Sequence, residues 1–125
     1  MTAPHATVLI VDDDAFVRSS AAEIVRQEGY EVREAGDGDA ALSVLAEGGV
    51  DVVVLDMRMP GPGGRGVLDA LDEHSPPVVL VTGFPLAGDA GVRQHDRVFT
   101  VLSKPFKPRA LLDAVAGALG RGVGE

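Results

Sequence analysis

Short apolar runs rich in β-branched residues recur along the chain, and each meets a residue that can carry chemistry. TVLIV (7–11) runs into Asp12-Asp13, VDVVVLD (50–56) ends in Asp56, VVLVT (78–82) ends in Thr82, and the run 99–103 leads into Lys104-Pro105. Runs this short, bounded by turn residues, are strands. The segments between them have helical periodicity. Over 15–28 the apolar face is Val17, Ala21, Ile24 and Val25, and Gly29 closes the helix. Helices are likewise expected over 40–46 (Ala41, Leu42, Leu45 inward), 67–73 (Val67, Leu68, Leu71) and 108–119 (Leu111, Leu112, Val115, Ala116, Leu119), with Pro108 in the first turn and Gly120 at the end. A weaker strand spans 31–35. Between Thr82 and Phe99 a short or mobile helix is expected, because Gly88 and Gly91 each cost about 1 kcal/mol relative to alanine. Strict β–α alternation calls for a parallel sheet with helices on both faces. The near-continuous apolar strands belong in its middle, and the more polar 31–35 belongs at an edge.

The length suits a single domain over 1–125, with 117–125 read as a glycine-rich flexible tail or the start of a linker. A hydrophobic content of 46% is too high for a disordered chain. TVLIV lacks a basic lead and is too short for a leader, and no run approaches the ~20 apolar residues of a membrane span. There are no cysteines, which excludes disulfides, thiolate metal sites and cysteine nucleophiles and is compatible with a cytoplasmic location. Eleven basic against nineteen acidic residues give a net charge of −8. That balance disfavours direct contact with nucleic acid or an anionic membrane and favours a divalent cation.

Ligands of such a sheet bind outside the carboxyl ends of its strands. There the chain places Asp12, Asp13, Asp56, Thr82 and Lys104 on one edge. Each has an ordinary reading: an Asp-Asp pair serves as a turn or cap, Lys104 as a surface charge, Thr82 as a strand residue, and Asp14 caps the helix that starts at Ala15. Together they are three carboxylates, a hydroxyl and an ammonium in one crevice. Carboxylates crowded there repel one another unless a positive charge joins them. Hard oxygen ligands suit Mg²⁺, and a carboxylate beside it can act as nucleophile on a phosphoryl group. The histidines, His5, His74 and His95, lack metal-site spacing and read as surface residues.

VLIVDDD, VVVLDMRMPGPGG, VVLVTG and VLSKPF, in that order, resemble the receiver domain of bacterial two-component response regulators, from Thr7 to about Leu119. The resemblance implies a flavodoxin-like doubly wound (βα)5 fold with strand order 2-1-3-4-5. It implies Asp56 as phosphoacceptor, with Asp13 as a direct Mg²⁺ ligand, Asp12 acting through water, and the Arg58 backbone carbonyl completing the metal shell. Thr82 matches the hydroxyl that turns toward the phosphoryl oxygens and Lys104 the lysine that pairs with them, its bond to Pro105 being cis. The implied partner is a sensor histidine kinase or histidine phosphotransfer protein, and the output partner is not specified. A phosphorylation-dependent dimer is compatible with the family. Such a protein is an autocatalytic phosphoacceptor with weak self-dephosphorylation, not a turnover enzyme.

The chain departs from the family at two places. Val101 stands where an aromatic is usual, and Phe99, expected on the same strand face, is the candidate substitute. Gly63 replaces the usual aspartate after the MPG turn, so the loop after Asp56 is expected to turn tightly about Pro60 and to be unusually mobile. The bulk of Arg58 and Phe84 is expected to slow water attack on the phosphoryl group.

Three other readings compete. An aspartate-nucleophile phosphatase of the haloacid-dehalogenase type needs an acid two residues after Asp56, where Arg58 stands. A dinucleotide site built on Gly61-Pro62-Gly63-Gly64-Arg65-Gly66 would open the first βα unit, and Pro62 would deprive its cradle of a donor. A receiver-like interaction module that takes no phosphate remains the third, kept open by Val101.

Overall fold

The computed structural model describes residues 6–61, 63–83 and 95–122. The helix expected between Thr82 and Phe99 falls mainly on residues outside these, as do His5, Pro62, Phe84 and the end of the tail. Within them the order is β1 (Thr7–Val11), α1 (Ala15–Gln27), β2 (Glu31–Ala35), α2 (Gly38–Glu47), β3 (Val52–Asp56), α3 (Gly63–Asp69), β4 (Val78–Thr82), β5 (Val98–Ser103) and α4 (Pro108–Gly122). All strand pairs are parallel, in the order β2-β1-β3-β4-β5. This is the expected flavodoxin-like sheet, with the polar strand 31–35 at its edge. No helix among the described residues is long and apolar enough to cross a membrane.

Alternation along the strands divides the core. Val8, Ile10, Val52, Val54, Val79 and Val81 pack under α1 and α4, against Ala21, Ala22, Val25, Leu111, Val115 and Ala118. Leu9, Val11, Val53, Leu55, Val78 and Leu80 pack on the other face with Ala41, Val67 and Leu68 of α2 and α3. Each such Val or Leu side chain contributes about 1.5–3 kcal/mol on burial. β1, β3 and β4 therefore sit with both faces covered, and their carboxyl ends are held in fixed register.

The helix ends follow local chemistry. The Asp14 carboxylate accepts from the Phe16 and Val17 N–H groups and caps α1 as expected. Gly29 (φ 101°) closes it after Gln27, one residue earlier than the periodicity indicated. Val17 and Ile24 are only half-buried, and Ala22 takes their place in the core. Asp37 caps α2 by accepting from Ala40 N–H at 2.7 Å, so that helix starts at Gly38 rather than Ala40.

Two segments differ more. α3 spans Gly63–Asp69, not 67–73, so the loop glycines form its first turn. It stops where the Asp72 carboxylate instead takes the His74 N–H and the Ser75 hydroxyl in a turn. α4 continues to Gly122, taking Gly117 and Gly120 into the helix rather than into a tail. Gly120 is therefore not its terminator.

Candidate functional site

Asp12 follows β1 directly, and its N–H donates to Ala35 O at 3.1 Å, extending the β1–β2 ladder by one rung. Asp56 ends β3 opposite Val81, and the next N–H, Met57, donates to Val81 O at 2.9 Å. The ladder thus fixes the backbone on both sides of the Asp56 side chain. Thr82 ends β4 and is buried; its carbonyl accepts from Lys104 N–H at 2.8 Å. That bond seats the lysine at the mouth of the sheet, and the Lys104–Pro105 peptide is cis, as expected.

The side chains converge accordingly. Oxygens of Asp12, Asp13 and Asp56 all lie within 4.8 Å of one another. Lys104 Nζ is 3.0 Å from Asp12 Oδ2 and 3.6 Å from Asp56 Oδ1. Asp12 and Asp56 are buried, whereas Asp13 is exposed at the rim. Asp14 N–H donates to Asp12 Oδ1 at 2.9 Å, and Arg58 N–H donates to Asp56 Oδ1 at 3.3 Å.

Burial raises the Asp56 pKa above the ordinary carboxylate value, and the neighbouring charges of Asp12 and Asp13 add to the rise; the Arg58 N–H and the Lys104 ammonium oppose it. For Lys104, burial disfavours the ammonium. Its hydrogen bond to Asp12 and the charge of Asp56 outweigh that, so its pKa lies above the usual lysine value and the group stays charged. Two buried carboxylates and a rim carboxylate around one ammonium leave an excess of negative charge, and the donors are hard oxygens. The set fits a divalent cation.

All the residues expected at the strand ends are thus at one edge. Arg58 is exposed beside Asp56, and its N–H donates to the Asp56 carboxylate. The glycine pattern has a different explanation from a phosphate cradle. A side chain at Gly64 would place its Cβ 2.6 Å from Asp56 O and 2.7 Å from Met57 Cα. Gly64 is therefore required for α3 to lie on the backbone of the acid-bearing strand, and its N–H donates to Met57 O at 3.2 Å. Gly61 (φ 72°) and Gly63 (φ 67°) make the tight turn into it. Gly63 and Gly64 are both buried, so this part of the expected mobile loop is packed.

Phe99 does not share the face of Val101. Val78 pairs with Val98 but Val79 pairs with Thr100, so Phe99 is the extra residue of a β-bulge. Its ring lies over Gly117 of α4, where an added Cβ would meet it at 2.8 Å. Val101 instead packs in the cluster under α2 and α3. His95 is half-buried, and its Nδ1 accepts the Arg97 N–H, which gives it a turn-forming role.

Sequence reasoning missed two residues around the site. Phe16, in the first turn of α1 and three residues after Asp13, is 80% exposed. Arg18 on the same helix reaches back to the Asp12 carbonyl. Its signal in the sequence was a basic residue that could meet the acidic Glu34 on the edge strand.

Residues 8–116 match the family model described as the response regulator receiver domain. The chain is 33% identical over 117 residues to the sensory transduction protein RegX3 of Mycolicibacterium smegmatis, an alignment covering 93% of this chain and 51% of that relative. The chain therefore spans about half the length of that protein. Among solved structures, the signal receiver domain of an HD domain-containing protein from Pseudomonas fluorescens Pf-5 superposes with a TM-score of 0.89 at 26% identity, covering 98% of this chain and 100% of that one. The chemotaxis response regulator CheY4 of Vibrio cholerae superposes with a TM-score of 0.83 at 28% identity, covering 93% and 100%.

Proposed function

The chain belongs to the response regulator receiver domain family, and on that premise we propose that Asp56 accepts a phosphoryl group from a histidine kinase or a histidine phosphotransfer protein. Receivers are self-phosphorylating and self-dephosphorylating modules rather than turnover enzymes, and the acid cluster of this chain is consistent with a phosphoaspartate and metal site. The observation that carries the reading is the single cluster of Asp12, Asp13 and Asp56 with Lys104 Nζ at 3.0 and 3.6 Å from two of them.

In the proposed step an Asp56 carboxylate oxygen attacks phosphorus. The O–P bond forms as the N–P bond of the donor phosphohistidine breaks, and the electron pair leaves with the ring; because the other ring nitrogen carries a proton, the leaving group is neutral imidazole. Lys104 is held charged beside Asp56 and faces the charge that builds on the phosphoryl oxygens. Thr82, buried at the adjoining strand end, offers its hydroxyl to one of those oxygens. Asp12, Asp13, Asp56 and the Arg58 carbonyl would hold Mg²⁺, which when bound supplies positive charge against the carboxylates and the phosphoryl oxygens.

Phe16 gives a protein donor an apolar contact one turn from Asp13. Phe16→Ala is expected to slow transfer from a phosphorylated kinase while leaving phosphorylation by acetyl phosphate unchanged; equal slowing of both would remove Phe16 from the partner interface. Incubation with Mg²⁺ and acetyl phosphate, followed by intact-mass measurement, tests the central reading. A phosphate adduct absent from Asp56→Asn is the expected result, and no adduct in the wild type, or one surviving the substitution, would defeat it.

A further inference from the structure

Asp12 is the residue at which the chain leaves β1 for the acid cluster, and its peptide link to Asp13 sets where the rim carboxylate points. Four neighbours hold it. Its N–H donates to Ala35 O, its Oδ1 accepts from Asp14 N–H, and its Oδ2 meets Lys104 Nζ. The fourth is less obvious: Arg18 Nη1 donates to the Asp12 carbonyl oxygen at 2.8 Å. That oxygen belongs to the Asp12–Asp13 peptide plane itself.

The Arg18 side chain is built to stay there. Its Nε donates to Glu34 Oε1 at 3.2 Å, and Arg26 Nη2 holds the other oxygen of Glu34 at 3.4 Å. Arg18 is largely covered, at 22% exposure. The fit is close on the Gly36 side: a Cβ at Gly36 would lie 3.3 Å from Arg18 Nη1, so the guanidinium would have to give by a few tenths of an ångström. A cation placed this close to the acid cluster opposes metal binding by simple charge. Its geometry does the reverse, by fixing the plane that carries Asp13.

We propose that Arg18 is a positioning residue for the metal site, orienting Asp13 through its hydrogen bond to the Asp12 carbonyl with Glu34 as its anchor. The inference rests on the phosphoacceptor reading above. It also makes a prediction opposite in sign to that of electrostatics. Removing a positive charge beside a cation site tightens cation binding if charge alone acts, and weakens it if positioning acts.

The test is a Mg²⁺ titration of Arg18→Gln, followed by calorimetry and by backbone amide shifts of Asp13, with the acetyl phosphate rate measured at each Mg²⁺ concentration. The half-saturating Mg²⁺ concentration is expected to rise roughly tenfold, as when outer partners of metal ligands are lost. The rate at saturating Mg²⁺ should stay within about twofold of wild type, since Lys104 and Asp56 are untouched. Arg18→Lys, which keeps a donor for the carbonyl but loses the fork to Glu34, should fall between. Gly36→Ala, which crowds the guanidinium without altering charge, should shift half-saturation in the same direction and covers the case in which Arg18→Gln does not fold. Unchanged or tighter Mg²⁺ binding in these variants overturns the inference. A wild type that takes neither Mg²⁺ nor phosphate overturns the phosphoacceptor reading instead, so the two failures are separate.

Discussion

Gly64 and Gly117 look alike on paper, because a methyl group at either would meet other atoms at under 3 Å. At Gly64 the obstacle is backbone, the Asp56 carbonyl and the Met57 Cα. At Gly117 it is the edge of the Phe99 ring, a side chain that is 37% exposed. The difference separates two regions of the molecule. The acid-bearing edge at β1 and β3 is held by main-chain ladders and close backbone contact, so its geometry has little freedom. The flank made by β5 and α4 is covered by a side chain on a bulge, and it can adjust. Phosphorylation chemistry needs the first kind of construction, and a surface that changes on phosphorylation needs the second. Val101 is on β5 but packs on the opposite face, in the cluster under α2 and α3, so it belongs to neither region.

The comparison can be broken most directly at Gly64. Gly64→Ala must push α3 away from β3 and is expected to cost roughly 3 kcal/mol, lowering Tm on the order of 10 °C. Thermal unfolding followed by circular dichroism measures this, and a loss under about 1 kcal/mol would mean the close approach is soft. Next in size is Lys104→Met. It should lower the acetyl phosphate rate on the order of a hundredfold with the fold intact, as removal of one positioned charge does elsewhere. A rate near wild type would take Lys104 out of the chemistry.

A smaller effect is expected in the opposite direction. In metal-free buffer Asp56 holds its proton more tightly folded than unfolded. Stability therefore falls as pH rises from the ordinary carboxylate range through the raised folded value, and levels off above it. Asp56→Asn removes that fall and should gain about 1 kcal/mol at neutral pH, as relief of a functional site often does. Denaturant unfolding of both proteins across acid to neutral pH checks this, and parallel curves would contradict it. The smallest effect belongs to Gly117→Ala. There the ~1 kcal/mol gain in helix propensity offsets displacement of an exposed ring, leaving less than about 1 kcal/mol in either direction. A loss as large as that of Gly64→Ala would erase the distinction between the two regions.

The parallel sheet, its polar edge strand and the edge that carries the site were legible in the sequence, and the full strand order came from the resemblance to receivers. Strands buried on both faces must be continuously apolar, so the residue that breaks each run, Asp12, Asp56 or Thr82, marks the carboxyl end where ligands gather. The first turn of α3 was not legible, since Gly61 to Gly66 also fits a loop. Only the 2.6 Å approach to the Asp56 carbonyl shows that Gly64 serves packing. Nor was the bulge at Phe99 legible: period-two alternation places Phe99 with Val101, and the register slip that moves it onto Gly117 is a property of pairing with β4.

The sequence by itself marked the residues proposed to carry the chemistry, because the residue types and the strands that deliver them are local in the chain. Tertiary structure alone decided how those residues are held. The hydrogen bond from Arg18 to the Asp12 carbonyl, the anchoring of that arginine by Glu34, and the contact of Lys104, far along the chain, with Asp12 depend on how separate elements are brought together. Distance between elements in space is fixed by the packing of the whole sheet, and no short stretch of sequence encodes it.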